Sequence, residues 1–149
     1  MKRFPVSLAK SLCKKYGCKL KLLNRRNLKS EDPTRFRNKN FRNRAWFYCG
    51  TKTRKIVIGL YRNPERKTAS FFHELGHVVT VKNISDLSTL SRVYYGLLIE
   101  WEKIAWAVGL TMAMKHDIHF SKRTLGRCRK ALQNYGEISD NDWRRILPK

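Results

Sequence analysis

The chain has 149 residues, 42% of them hydrophobic and with 7 Phe, 4 Trp and 6 Tyr, which suffices for one folded core and excludes a wholly solvated, disordered chain. No apolar run approaches the roughly 20 residues of a membrane span, and the opening Met1-Lys2-Arg3-Phe4-Pro5 breaks off before a signal-peptide apolar region forms, so a cytoplasmic protein with no membrane partner is expected. Lys and Arg number 33 against 11 Asp and Glu, a net charge of +22 that repels basic partners and attracts nucleic acid or an acidic protein surface.

That charge is unevenly spread. Residues 1–67 hold 21 basic and 3 acidic side chains, +18, whereas residues 68–149 hold 12 and 8, only +4. Among the four cysteines, Cys13, Cys18, Cys49 and Cys128, no two stand at the two-residue spacing of structural zinc clips or dithiol redox motifs, and reduced thiols are expected.

In chain order, Val6, Leu8, Leu12, Cys13 and Tyr16 recur at helical spacing and predict a helix near 5–16, closed by Gly17. Residues 18–23 alternate with period two and predict a strand that enters a polar, basic loop over 24–44. The aromatic and β-branched runs 45–49 and 55–60, parted by Gly50-Thr51-Lys52-Thr53-Arg54, predict a hairpin, giving a sheet of about three strands. Asn63-Pro64 supplies an N-cap and a first-turn proline for a helix to about 81. A stripe of Leu87, Leu90, Tyr94, Leu97, Trp101, Ile104 and Val108 predicts the longest helix, through to about Lys115. Two shorter helices are predicted near 121–135 and 140–147, opened by Ser121 and Asp140. The fold class expected is therefore α+β, in one domain over 1–149.

His73-Glu74-Leu75-Gly76-His77 lies inside the helix that Asn63-Pro64 opens. Two histidines four apart stack one turn above the other on one helix face, where both reach a single zinc ion. Glu74 then stands as general base toward the attacking water, the chemistry of peptide-bond hydrolysis. With 4 His and 6 Glu in the chain, random placement gives roughly 0.004 such matches. Gly76 between the ligands allows another backbone to approach closely.

A catalytic zinc site takes a third protein ligand. Glu100 and Glu102 both lie in an apolar neighbourhood where an unpaired carboxylate is expensive to bury, and both flank the apolar stripe, one on either side. Periodicity does not choose between them. His116 and His119 are competing ligands near a helix end, where capping of exposed carbonyls is the alternative role. Tyr94, Tyr95 and His116 are candidates for stabilising an oxyanion, with core packing as the alternative for the tyrosines.

The motif, preceded by an aromatic-apolar strand and followed by Glu102-Lys103-Ile104-Ala105 on a second helix, resembles the gluzincin metallopeptidases, in particular the small phage and bacterial proteins of the ImmA/IrrE-like group. The resemblance covers about residues 45–110. It implies a sheet before the motif helix and a glutamate followed three positions later by a small residue as the third ligand, which Ala105 assigns to Glu102. A minimal zincin-like core over 45–116 is then expected, with the sheet packed on the two metal-bearing helices. A basic helix, strand and loop over 1–44 precede it, and a helical segment over 117–149 follows. The basic first 45 residues depart from the group.

Arg35, Phe36, Arg37, Lys39, Phe41, Arg42 and Arg44 interleave cations with phenylalanines, a composition suited to phosphate contact plus base stacking on DNA or RNA. A solvated loop is the other reading. The function expected is a zinc endopeptidase acting on protein or peptide substrates, including nucleic-acid-associated proteins. The alternative is a nucleic-acid-binding or regulatory protein with the same fold and a non-catalytic zinc.

Overall fold

A computed structural model describes residues 3–24, 45–49, 54–80 and 95–148. The described elements are α1 (Val6–Lys15), β1 (Lys19–Leu22), β2 (Ala45–Cys49), β3 (Arg54–Ile58), α2 (Pro64–Thr80), α3 (Tyr95–Met114), α4 (Lys122–Leu132) and α5 (Asp140–Ile146). The fold is α+β, as expected. It divides into two compact units, Met1–Phe71 and Phe72–Lys149, and the division falls within α2.

In the first unit, α1 ends where Gly17 takes a φ of 65°. The Cys18 N–H donates to the Cys13 carbonyl at 2.9 Å and the Gly17 N–H to Lys14 at 3.2 Å, the paired closure of a Schellman end that a side chain at positive φ would strain. The chain turns directly into β1. The sheet order is β1-β3-β2, with β2 and β3 antiparallel and Ala45 opposite Ile58, as the hairpin reading requires. Parallel pairing of β1 with β3, Leu20 beside Ile56 and Leu22 beside Ile58, was not predicted. A parallel neighbour is reached only through a long connection, and here more than 30 residues separate the two strands, so no local signal announces it. The central strand carries Ile56, Val57 and Ile58, all fully buried, the continuous apolar run expected of a strand covered on both faces. Leu23 packs on Val57, α1 contributes the buried Ala9, Leu12 and Cys13, and Phe4 meets Phe71 edge-on at 5.8 Å.

Asn63 caps α2 as predicted: its Oδ1 accepts from the Arg66 N–H at 2.9 Å. Likewise Ser121 caps α4, accepting from the Thr124 N–H. The last helix differs by one residue. Ser139, not Asp140, is its cap, accepting from the Asp142 N–H at 3.0 Å, while Asp140 is drawn to Arg129 at 2.6 Å.

The described part of the second unit is helical. Its core holds Phe72, Leu75 and Val78 of α2, Ala105, Trp106, Leu110 and Ala113 of α3, Cys128 and Leu132 of α4, and Trp143 and Ile146 of α5. The buried face of α3 is a correction to the predicted stripe. Glu102, Ala105, Trp106, Gly109, Leu110 and Ala113 are inside, whereas Ile104 is half exposed. Small residues face the closest neighbour because they permit backbone approach, and a stripe drawn through the largest apolar side chains misses that face. Residues 87–94 of the predicted helix lie outside the described residues.

Candidate metal centre

Two glycines bring α2 and α3 together. A Cβ on Gly76 would fall inside the Ala105 carbonyl group, 2.8 Å from its carbon, and one on Gly109 would lie 2.7 Å from the Phe72 carbonyl carbon and 3.0 Å from the His73 nitrogen. Each glycine therefore receives the other helix's backbone. Gly76 sits between His73 and His77, and Ala105 and Gly109 follow Glu102 by one and two turns, so this crossing carries Glu102 onto the histidine pair.

His73 Nε2 lies 3.1 Å from Glu102 Oε2, His77 Nε2 lies 3.4 Å from Glu102 Oε1, and the two Nε2 atoms are 3.2 Å apart. All three ligand atoms fall within 4.8 Å of one another, the one such group among the described residues. Its bonding is incomplete. Glu102 Oε2 is buried without a well-formed hydrogen bond although His73 Nε2 lies 3.1 Å away. Two imidazole nitrogens and a carboxylate aimed at a common point satisfy one another poorly and a cation well. The residues present therefore fit a metal ion.

Burial pushes the Glu102 carboxyl up, but attraction to the imidazoles of His73 and then His77 outweighs it and holds the group down at about 2. The carboxylate is thus an anion throughout the neutral range. A carboxyl depressed from its ordinary 4.5 stabilises the folded state fully above that value, and loses the contribution as pH falls toward the folded value. Metal-free wild type should accordingly lose about 1 kcal/mol of unfolding free energy relative to Glu102→Gln between about pH 5.5 and 3.5. Chemical denaturation at the two pH values measures this; a pH-independent difference contradicts it.

Two tryptophans hold the histidine rings. Trp106 stacks on His73 with centroids 4.2 Å apart and planes at 22°, and Trp101 lies 4.3 Å from His77. Both imidazole Nδ1 atoms are buried without a hydrogen-bond partner, so indole packing fixes ring orientation where a carboxylate or carbonyl commonly does. Sequence reasoning missed both roles. The available signal was their position, one residue before and four after Glu102 on one helix.

No family model, curated protein or solved structure matches the chain.

Of the candidates from sequence, His73, His77 and Glu102 converge, and Glu74 is buried beside them in the motif. Glu100 does not join them: it is exposed and pairs with Lys103 at 2.7 Å. His116 is exposed at the end of α3, 14 residues beyond Glu102 or about 21 Å along a helix axis, in the position of a C-cap. Its N–H donates to Ala113, and Asp117 and Ile118 close the end behind it. His119 is exposed in the following loop. Neither belongs to the ligand group. Tyr95 opens α3, seven residues and about 10 Å of helix before Glu102. Tyr94 lies outside the described residues, as do Arg35, Phe36, Arg37, Lys39, Phe41, Arg42 and Arg44. No described helix is long and apolar enough to cross a membrane.

Proposed function

We propose that the protein is a zinc-dependent endopeptidase of minimal zincin-like architecture, in which His73, His77 and Glu102 hold the metal and Glu74 moves the proton. The observation that carries this reading is the convergence of two imidazoles and one carboxylate within 4.8 Å on the motif that also supplies Glu74. Two nitrogen ligands and one oxygen ligand suit zinc better than the hard cations that demand all-oxygen cages, and three protein ligands leave a tetrahedral position open. Zinc bound there would supply Lewis acidity and a water of lowered pKa.

Each residue then has a defined task. Glu102 enters binding already ionised, whereas His73 and His77 must be neutral to ligate, so metal uptake weakens in acid. The indoles of Trp101 and Trp106 keep both rings in place and exclude water from behind them. Glu74 would take a proton from the attacking water and return it to the departing amine, a role open to a carboxylate and closed to an amide.

The test is cleavage of a mixed peptide library by zinc-loaded protein, read by mass spectrometry as new chain termini. The expected result is a set of cleavages abolished by phenanthroline and restored by added zinc. Fully zinc-loaded protein that generates no new termini would favour the alternative of a nucleic-acid-binding or regulatory protein with a non-catalytic site.

A further inference from the structure

We propose that the exposed face of α4 binds the phosphate backbone of duplex DNA, with the helix lying in the major groove. This surface belongs to the second unit, is separate from the metal ligands, and stands whether or not the centre is catalytic.

The charge balance of the second half hides a local concentration. Residues 115–130 hold six Lys and Arg against one Asp. Within α4, Thr124, Cys128 and Leu132 are buried and define the inner face. Lys122, Arg123, Arg127 and Lys130 are all exposed. At 100° per residue they span an arc of about 140° on the outer face. None of the four is paired with a carboxylate among the described residues. Arg129 shows the contrast: on the flank, it pairs with Asp140 at 2.6 Å and donates to the Ile138 carbonyl at 3.2 Å. One cation of the helix is thus committed to structure, and four face solvent with no carboxylate partner among the described residues.

Four unpaired cations on one helix repel one another and gain most from a polyanion. The geometry selects which one. Eleven helical residues measure about 16 Å, and a helix enters the roughly 12 Å major groove of B-DNA, whereas the deep, narrow major groove of duplex RNA excludes it. Exposed Gly126 lies amid the four cations and adds no side chain to keep a groove wall away. Contacts of this kind are to phosphate, so they confer affinity with little sequence preference.

The experiment is fluorescence anisotropy of the full chain on a labelled DNA duplex of about 20 base pairs and mixed sequence, across a salt series beginning near 50 mM. The variant Lys122→Gln/Arg123→Gln/Arg127→Gln/Lys130→Gln alters exposed positions only, and its thermal midpoint and zinc content verify folding. Each phosphate contact adds about 0.9 to the log–log salt slope, so the variant should bind at least about tenfold more weakly, with a slope shallower by roughly 2 to 3.6. An equal affinity and slope for folded variant and wild type overturns the proposal. So does a wild type that binds no duplex at the lowest salt, or one that prefers duplex RNA.

Discussion

Alanine at position 76 should destabilise the protein by about 1–3 kcal/mol and weaken metal binding by about 100-fold, although the same change in an isolated helix stabilises it by up to about 1 kcal/mol. The sign is decided by what the new methyl group meets. Helix propensity favours alanine, but the Cβ would occupy the space of the Ala105 carbonyl group, which is helix backbone and cannot rotate away. Relief requires α2 and α3 to separate, and separation withdraws Glu102 from the two histidines. Gly109→Ala should act in the same direction, since its Cβ would strike the backbone of Phe72 and His73. Denaturant unfolding with and without zinc, together with a competitive chelator titration, measures both effects. Unchanged zinc affinity in Gly76→Ala would mean that the crossing does not set the ligand geometry.

Glu74→Gln should lower the rate of peptide cleavage by about 10²–10⁴-fold while leaving zinc content at the wild-type level. Glu74 is buried at 8% exposure within the motif helix, one residue from His73, yet is absent from the group of converging ligands. Glutamine keeps the size and polarity of the side chain and removes its basicity. The comparison is made on whichever library peptide wild type cuts fastest, with elemental analysis of the same samples. A variant that loses zinc along with activity would place Glu74 in the ligand set; one that keeps both would remove it from the chemistry.

Much of this centre was legible before any coordinates. His73 and His77 four residues apart, Asn63-Pro64 at the helix start and a glycine between the ligands each express a local rule, and each stands where that rule puts it. The third ligand was legible only in part. Glu100 and Glu102 are equivalent by hydrophobic periodicity, and the difference between them depends on which face of α3 meets α2. That face carries Ala105 and Gly109, whose contribution is the absence of bulk, and a search for large apolar residues passes over it. Ile104 shows the cost of that approach, being half exposed on the stripe drawn through it. The roles of Trp101 and Trp106 were hidden for a related reason: in sequence an indole on an apolar helix signals core packing, and only the crossing shows that the rings it packs on are those of His73 and His77. Parallel pairing of β1 with β3 joins segments far apart in the chain, where periodicity has nothing to report.

The most direct test of the account is metal stoichiometry, determined by elemental analysis of protein grown with zinc and purified without chelators, for wild type beside His73→Ala, Glu102→Ala and Glu100→Ala. One zinc per chain is expected in wild type and in Glu100→Ala, because Glu100 is exposed and engaged with Lys103, and loss of zinc is expected in His73→Ala and Glu102→Ala. Metal-free wild type, or full occupancy in His73→Ala, would contradict it.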